Sequence, residues 1–481
     1  MPPDGAPGKK NALQITSSSK SPSPTNHEII RQRHGQGPLY SISEAFFRFT
    51  IQWVAVALMP MIHLQPDCLF VENRFVADMG ITIDDDGIVQ HIGTVPDEHT
   101  RVVKLAGQAL MPGFVNSHSH VFQRLLRGRV EAATPQASFW SWRKHMYALV
   151  DSLTPERLGL IARYTFMEMV WSGYTTVREF HYVHHNADGT PYDDPHEMVY
   201  RLIAAANEAQ INLHLLRVAY PNAEESTQRR FSDPDIEQAI AITDDLRNRV
   251  SIPVGIAPHS IRAVSPDGFR RCLEWANHVG AECHAHIAEQ PKEVAWAQET
   301  YGARPLQLIA DTAPLSTAFT AVHATHLNEA EIQRAGSIGI HVCFCPTTEA
   351  NLGDGVPRTH DILTAGAQLA IGSDSQTEID PFAELRLLEY NERNRLGRRR
   401  VLDPGALLEA STESLDIGKP ARLVTIEQGH PSVAGASVSE LPSALVMSGQ
   451  RGCISGVYRG ATNIRRHPPA SLMQEIIAPS D

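Results

Sequence analysis

The stretch 109–120, ALMPGFVNSHSH, is an apolar run that ends abruptly in polar residues, and its recurrence decides the fold. The same texture returns in YTTVREFHY (174–182), INLHLLRVAY (211–220), IPVGIAPHS (252–260) and AECHAHIAE (281–289). It returns again in FTAVHATH (319–326), IGIHVCFCP (338–346) and QLAIGSDS (368–375), with a longer helical stretch between successive runs. Short, largely apolar runs separated by helices suit parallel strands buried on both faces. Eight of them is the number at which such a sheet closes into a barrel. The predicted fold is therefore α/β, a (β/α)8 TIM barrel over residues 111–418.

Working outward, residues 66–110 and 419–465 share another texture. Short alternating stretches flank a turn at DDDG (84–87), and ARLVTIE and GVYRG repeat the pattern near the other end. A small β-sandwich domain built from both flanks is expected, with residues 466–481 as a C-terminal tail. Residues 1–65 form an N-terminal extension. Its first forty residues are rich in Ser, Pro, Lys and Gln, a composition that favours disorder. The apolar run FFRFTIQWVAVALMPMIHL (46–64) is interrupted by Arg48, Gln52 and Pro60, which leaves too short a clean core for a membrane span. A segment lying against the domain, or a start codon near Met59 or Met61, accounts for it better.

Composition narrows the class. With 481 residues, 42% hydrophobic and 20% charged, the chain reads as globular. Its formal net charge of −12 offers no general attraction to nucleic acid or to an anionic membrane. Cysteines 68, 272, 283, 343, 345 and 453 form no CxxC pair, so free thiols in a reducing compartment, the cytoplasm, are expected.

Polar residues gather at the same end of the runs: His118 and His120, Glu179 and Tyr182, His259, His286 and Glu289, His323, and Asp374. The C-terminal strand ends of a TIM barrel converge on its active site. In His118-Ser119-His120 the spacing of two places both imidazoles on one face of a strand. An HxH by itself is more often a pair of ordinary histidines, but with His286 and Asp374 on later strand ends it becomes a ligand set. Three imidazoles and a carboxylate with an open position suit catalytic zinc better than calcium or magnesium. Glu289, three residues past a ligand, is either a surface residue opening a helix or the acid/base that moves protons during hydrolysis. His323 and His326 compete for one place in the site, and His323 lies closer to the strand. The run before His259 and Arg262 contains no lysine that could bridge a second metal, so one ion per chain is expected. Arg143 and Tyr182 are open between packing roles and a cationic, hydrogen-bonding rim for a carboxylate. Walker, GxGxxG and GxSxG signatures are absent from the sequence.

The blocks PGFVNSHSHVFQR, SFWSWRKHMY, REFHYVHHNADGTPY, PHSIRAV, HIAEQ, VHATH, CPTTEANLGDG and GSDS, in this order, resemble the formimidoylglutamate deiminases of the amidohydrolase superfamily over residues 66–465. The HxH and GSDS elements mark the superfamily, and the FHYVHH and CPTTEANLGDG blocks narrow it. The resemblance implies one Zn2+ per chain on His118, His120, His286 and Asp374. It implies Glu289 as proton shuttle and His323 as the polariser of the attacked group, with Asp374 also orienting the attacking water. Gln123, Arg143, Tyr182, His259 and Arg262 would hold the substrate. The implied partner is a small formimidoyl amino acid, a dicarboxylate, and a homodimer is allowed. The implied reaction converts N-formimidoyl-L-glutamate and water to N-formyl-L-glutamate and ammonia, a step of histidine degradation. Arg422 stands where the family pattern carries Asp. A related deaminase acting on a nucleobase or another amidine would keep the metal set without needing both arginines and Tyr182. A non-catalytic paralogue would have lost a ligand or Glu289, and each of those positions is filled.

Overall fold

A computed structural model describes residues 61–96, 100–130, 139–223 and 226–477. Residues 1–60 lie outside them, and with them residues 46–60 of the apolar run. The end of that run, Ile62–Leu64, is the start of a strand.

Eight strands form the barrel: β6 (Phe114–Ser119), β7 (Tyr174–His181), β8 (Asn212–Ala219), β9 (Val254–Pro258), β10 (Cys283–Ile287), β11 (Phe319–His323), β12 (His341–Phe344) and β13 (Gln368–Ile371). Each pairs in parallel with its neighbour in chain order. Helices that start on Pro after a capping side chain return the chain between strands. Thr154 accepts from the Arg157 N–H, Ser265 from Gly268 and Asp380 from Phe382, satisfying amides that the first turn leaves open.

The ring closes between β13 and β6 through a parallel bridge of Ser119 with Asp374. The Asp374 N–H donates to the His118 carbonyl at 2.9 Å, and the His120 N–H donates to the Asp374 carbonyl at 3.1 Å. Asn116 adds a side-chain clasp on Ser373, donating through Nδ2 to Oγ at 2.5 Å and accepting the Ser373 N–H at 3.1 Å. Gly372 permits this approach, since a Cβ there would lie 2.8–2.9 Å from the His118 backbone and Cβ.

The stretch 109–120 supplies two strands rather than one. Residues 109–112 end β5 (Arg101–Pro112), and β6 begins at Phe114. The break falls at Gly113, where a Cβ would meet the Thr175 side chain at 2.1 Å. β5 belongs to a second sheet with β1 (Ile62–Val71), β2 (Arg74–Ala77), β3 (Gly80–Ile83), β4 (Val89–Gly93), β14 (Arg422–Glu427), β15 (Ile454–Arg459) and β16 (Thr462–Asn463). β14 runs antiparallel to β5, so the two flanks meet in one sheet. Alternation sorts its faces. Leu64, Leu69, Leu110 and Leu423 form a local core, while Cys68, Phe70, Met111 and Val424 join the large core that includes the barrel. Arg422 is accommodated by Glu413, which accepts from its guanidinium at 2.9 Å and from the Thr175 and Thr176 hydroxyls at 2.8 and 2.6 Å. Within residues 466–481 the chain forms a helix, Ala470–Ile477, with Leu472 and Ile476 buried.

Candidate metal centre and pocket

His118, His120 and His286 bring ring nitrogens together at the C-terminal end of the barrel, and His118, His323 and Asp374 form an overlapping group. His118 sits on β6, with His120 one residue past it, and His286 sits on β10. Asp374 follows β13 in the left-handed region at φ 44°, a conformation that costs energy for a residue with a Cβ and clusters at functional sites. His323 at φ 66° and Ala288 at φ 49° share this feature.

The tautomers of two histidines follow from their outer partners. His120 Nδ1 lies 2.9 Å from the Phe180 carbonyl, and His286 Nδ1 lies 3.0 Å from the His259 carbonyl. A carbonyl only accepts, so Nδ1 carries the proton and the Nε2 lone pair is left facing inward. Burial lowers the His118 and His286 pKa and pushes His120 down to about 3, keeping these rings neutral. Burial raises the Asp374 pKa, but His118, His323 and His120 outweigh it and hold the group below the ordinary carboxylate range.

The spacing tests whether these donors suit a metal. His118 Nε2 and His286 Nε2 are 3.2 Å apart, and Asp374 Oδ1 lies 3.3 Å from Nε2 of both His118 and His120. Atoms bound tetrahedrally at about 2.0–2.1 Å sit ~3.3 Å from one another. This spacing, with the Nε2 lone pairs of His120 and His286 facing inward, fits a divalent ion.

One pocket above this cluster gathers the other sequence candidates: Gln123, Arg143, Tyr182, His259, Arg262, Glu289 and His323, with His120, His286 and Asp374 on its floor. Gln123 Nε2 donates to the Tyr182 hydroxyl at 2.9 Å. Arg143, on the helix Phe139–Asp151, donates through Nε to the Tyr147 hydroxyl at 2.8 Å. Arg262 Nη2 lies 3.8 Å from Glu289 Oε2. Burial lowers the Arg262 pKa, but Glu293 and Glu289 more than reverse it and keep the guanidinium charged. His259 is driven well below its ordinary value by burial and by Arg262, so it enters the pocket neutral.

Glu179, at the same strand end, does not line this pocket. It accepts from Ser119 Oγ at 2.5 Å and from the Val121 N–H at 2.9 Å, supporting the turn that carries the HxH pair, and burial raises it to about 8. Sequence reasoning missed Trp142, Met146, Tyr147, Tyr220 and Phe231, which wall the pocket. Tyr147 carried a signal, four residues after Arg143 on a helix. Tyr220 and Phe231 lie around a loop whose path only the folded chain reveals. Cys343 and Cys345 are buried against Val322 and Ala370 inside the barrel.

An eight-stranded parallel barrel with histidines and a carboxylate converging at its C-terminal end defines a metal-centred hydrolase architecture. Residues 109–414 match the amidohydrolase family, and the chain belongs to that family. It is similar to the formimidoylglutamate deiminase of Pseudomonas aeruginosa, 38% identical over 395 residues, covering 76% of this chain and 86% of the relative. The 8-oxoguanine deaminase of the same organism is 26% identical over 350 residues, 71% and 78% of the two chains. Among solved structures, an amidohydrolase from Brucella melitensis superposes with a TM-score of 0.77 at 29% identity, covering 87% of this chain and all of that one. An adenosine deaminase from Xanthomonas campestris with bound zinc shares the fold, with a TM-score of 0.71 at 21% identity over 86% and 96% of the two chains. The protein is thus an amidohydrolase-family deaminase, a hydrolase acting on C–N bonds of small molecules.

Proposed function

We propose that this chain is a zinc-dependent deiminase that hydrolyses N-formimidoyl-L-glutamate to N-formyl-L-glutamate and ammonia in histidine degradation. The observation that carries the reading is the meeting of Arg143, Arg262, Tyr182 and Gln123 in one pocket with the imidazole cluster. Planar guanidinium forks suit a substrate that brings two carboxylates to a protein of net charge −12. The 38% identity to a formimidoylglutamate deiminase supports the same substrate.

His118, His120, His286 and Asp374 would hold one zinc ion. When bound, zinc supplies a Lewis acid that makes water nucleophilic near neutral pH. Arg143 and Arg262 bind the carboxylates, and Tyr182, Gln123 and His259 orient the formimidoyl group over the cluster. Glu289 accepts a proton from the attacking water and delivers it to the departing nitrogen, which leaves as ammonia. His323, with Nε2 turned towards Glu289 and Asp374, polarises the attacked group. The six unpaired, buried cysteines support a reducing, cytoplasmic setting.

A nucleobase substrate is the second reading, favoured by the aromatic walls Tyr147, Tyr182, Tyr220 and Phe231. Ammonia release from a panel of formimidoyl amino acids and aminopurines decides between them. Formimidoylglutamate is expected to be turned over fastest, and a faster aminopurine would overturn the proposal.

A further inference from the structure

His323 ends β11 at φ 66°, and Ala324 after it is also left-handed at φ 52°. Nothing in the regular geometry of a strand holds a ring presented this way. Three carboxylates surround it. Nε2 lies 3.9 Å from Glu289 Oε1 and 3.8 Å from Asp374 Oδ2, both beyond hydrogen-bond range, so room remains for a reacting group. Nδ1 lies 3.3 Å from Oε1 of Glu349, on the far side of the ring from that space.

Glu349 belongs to the helix Pro346–Leu352 that follows β12, and it is fully buried, as is His323. Its Oε1 also accepts the Cys345 N–H at 2.9 Å, which anchors the carboxylate to the strand end. Its other oxygen, Oε2, has no hydrogen-bond partner. Oε1 thus meets both the strand-end amide and the outer face of the His323 ring, which ties the ring to the backbone. The geometry has a further consequence. If Glu349 were removed, the His323 ring would be free to turn towards Glu289 and Asp374 and pair with the groups assigned to the reaction.

We propose that Glu349 is a positioning residue, which accepts a hydrogen bond from His323 Nδ1 and so holds the ring with Nε2 facing the reacting group. Glu349 touches no substrate in this arrangement. It acts through His323, as an outer partner sets the direction of an imidazole elsewhere in the same site. The inference rests on the deiminase reading for the chemistry that His323 performs, but not for the hydrogen bond itself.

The test uses the metal-loaded full chain with metal content measured alongside. Glu349→Ala should lower kcat on formimidoylglutamate at least about tenfold, within the ~10–100-fold range for loss of such an outer partner. KM should stay within about threefold. Glu349→Gln, whose amide oxygen can keep both hydrogen bonds, should recover most of that loss. In a His323→Ala background, Glu349→Ala should cost little more, because the two residues act as one unit. An equal loss in both backgrounds, or a loss explained by missing metal, overturns the proposal. Nitrogen-15 NMR of ring-labelled histidine, with His323 assigned through His323→Gln, gives a readout that needs neither substrate nor a folded Ala variant. A proton on Nδ1 of His323 is expected in the wild type and in Glu349→Gln. A bare Nδ1 in the wild type refutes the assignment. If formimidoylglutamate is not hydrolysed while Nδ1 is protonated, the substrate reading fails and the positioning role stands.

Discussion

The barrel carries histidines and carboxylates at both ends, but pairs them differently. At the N-terminal end a cavity of about 450 Å³ is lined by Ser117, Arg178, His214, Glu282, His284 and His341, among others. There Arg178 grips both oxygens of Glu282 at 2.9–3.1 Å, and His214 Nδ1 lies 3.6 Å from Oε1. Burial would raise the Glu282 pKa, but His214 and Arg178 reverse this and hold it below the ordinary range. At the C-terminal end no guanidinium reaches Asp374 among the described residues, and imidazoles surround it instead, His118 and His120 at Oδ1 and His323 nearer Oδ2. The same residue types make a closed ion pair at one end and, at the other, the group proposed to hold a cation. What differs is whether the carboxylate already has a permanent cation beside it.

The largest effects should come from breaking the C-terminal group. His286→Ala and Asp374→Ala should strip zinc below about one tenth of the wild-type content and abolish turnover beyond the ~10–100-fold cost of a lost outer partner. Elemental analysis of purified protein checks this, with one zinc per wild-type chain expected. Two ions per chain, or zinc retained in a His120→Ala, His286→Ala double variant, contradicts the ligand assignment.

Next in size is Glu289→Gln. It should keep zinc and shape but lower kcat by at least the ~10² typical of a missing general acid/base. Steady-state kinetics with parallel metal analysis separates loss of the proton carrier from loss of the ion.

The cationic rim should give a graded response. Arg143→Ala and Arg262→Ala should each lower kcat/KM for formimidoylglutamate several-fold to a hundredfold, about 1–3 kcal/mol. Lysine should restore only part, because a point charge cannot reproduce a planar fork. The neutral diamide analogue should be a poor substrate for wild type and suffer little further loss in either variant.

The smallest catalytic effect belongs to the N-terminal end. Glu282→Gln should leave zinc content and kcat within about twofold. With side chains 24% and 33% exposed, the Arg178–Glu282 pair lies between surface and buried limits, so breaking it should cost about 1–2 kcal/mol in urea unfolding at pH 7. The Glu282 pKa is depressed in the folded state, so its contribution is present above the unfolded value of about 4.3 and fades as pH falls below it. The stability gap between wild type and variant should therefore narrow below about pH 4. An unchanged gap there would mean that the carboxylate charge is not what the pair contributes.

Much of the site was legible before folding because its residues recur at one structural position. His118, His120, His286, His323 and Asp374 stand at the ends of apolar runs, and a closed barrel brings equivalent strand ends together whatever their separation in sequence. Glu179 shows the limit of that rule. It occupies a strand end too, but it supports the turn beyond Ser119 instead of entering the pocket. The Gly113 break was equally hidden, because the apolar run passes through it without interruption while the steric demand comes from Thr175, far along the chain.

By itself, then, the sequence determined the eight-strand rhythm and which side-chain types stand at the strand ends, since these depend on local periodicity and residue chemistry. Tertiary structure alone decided which carboxylates face a cation and which face imidazoles, that Tyr220 and Phe231 wall the pocket, and that Glu349 backs His323. Those outcomes depend on contacts between segments distant in sequence, where close packing and burial select one partner among several chemically equivalent ones.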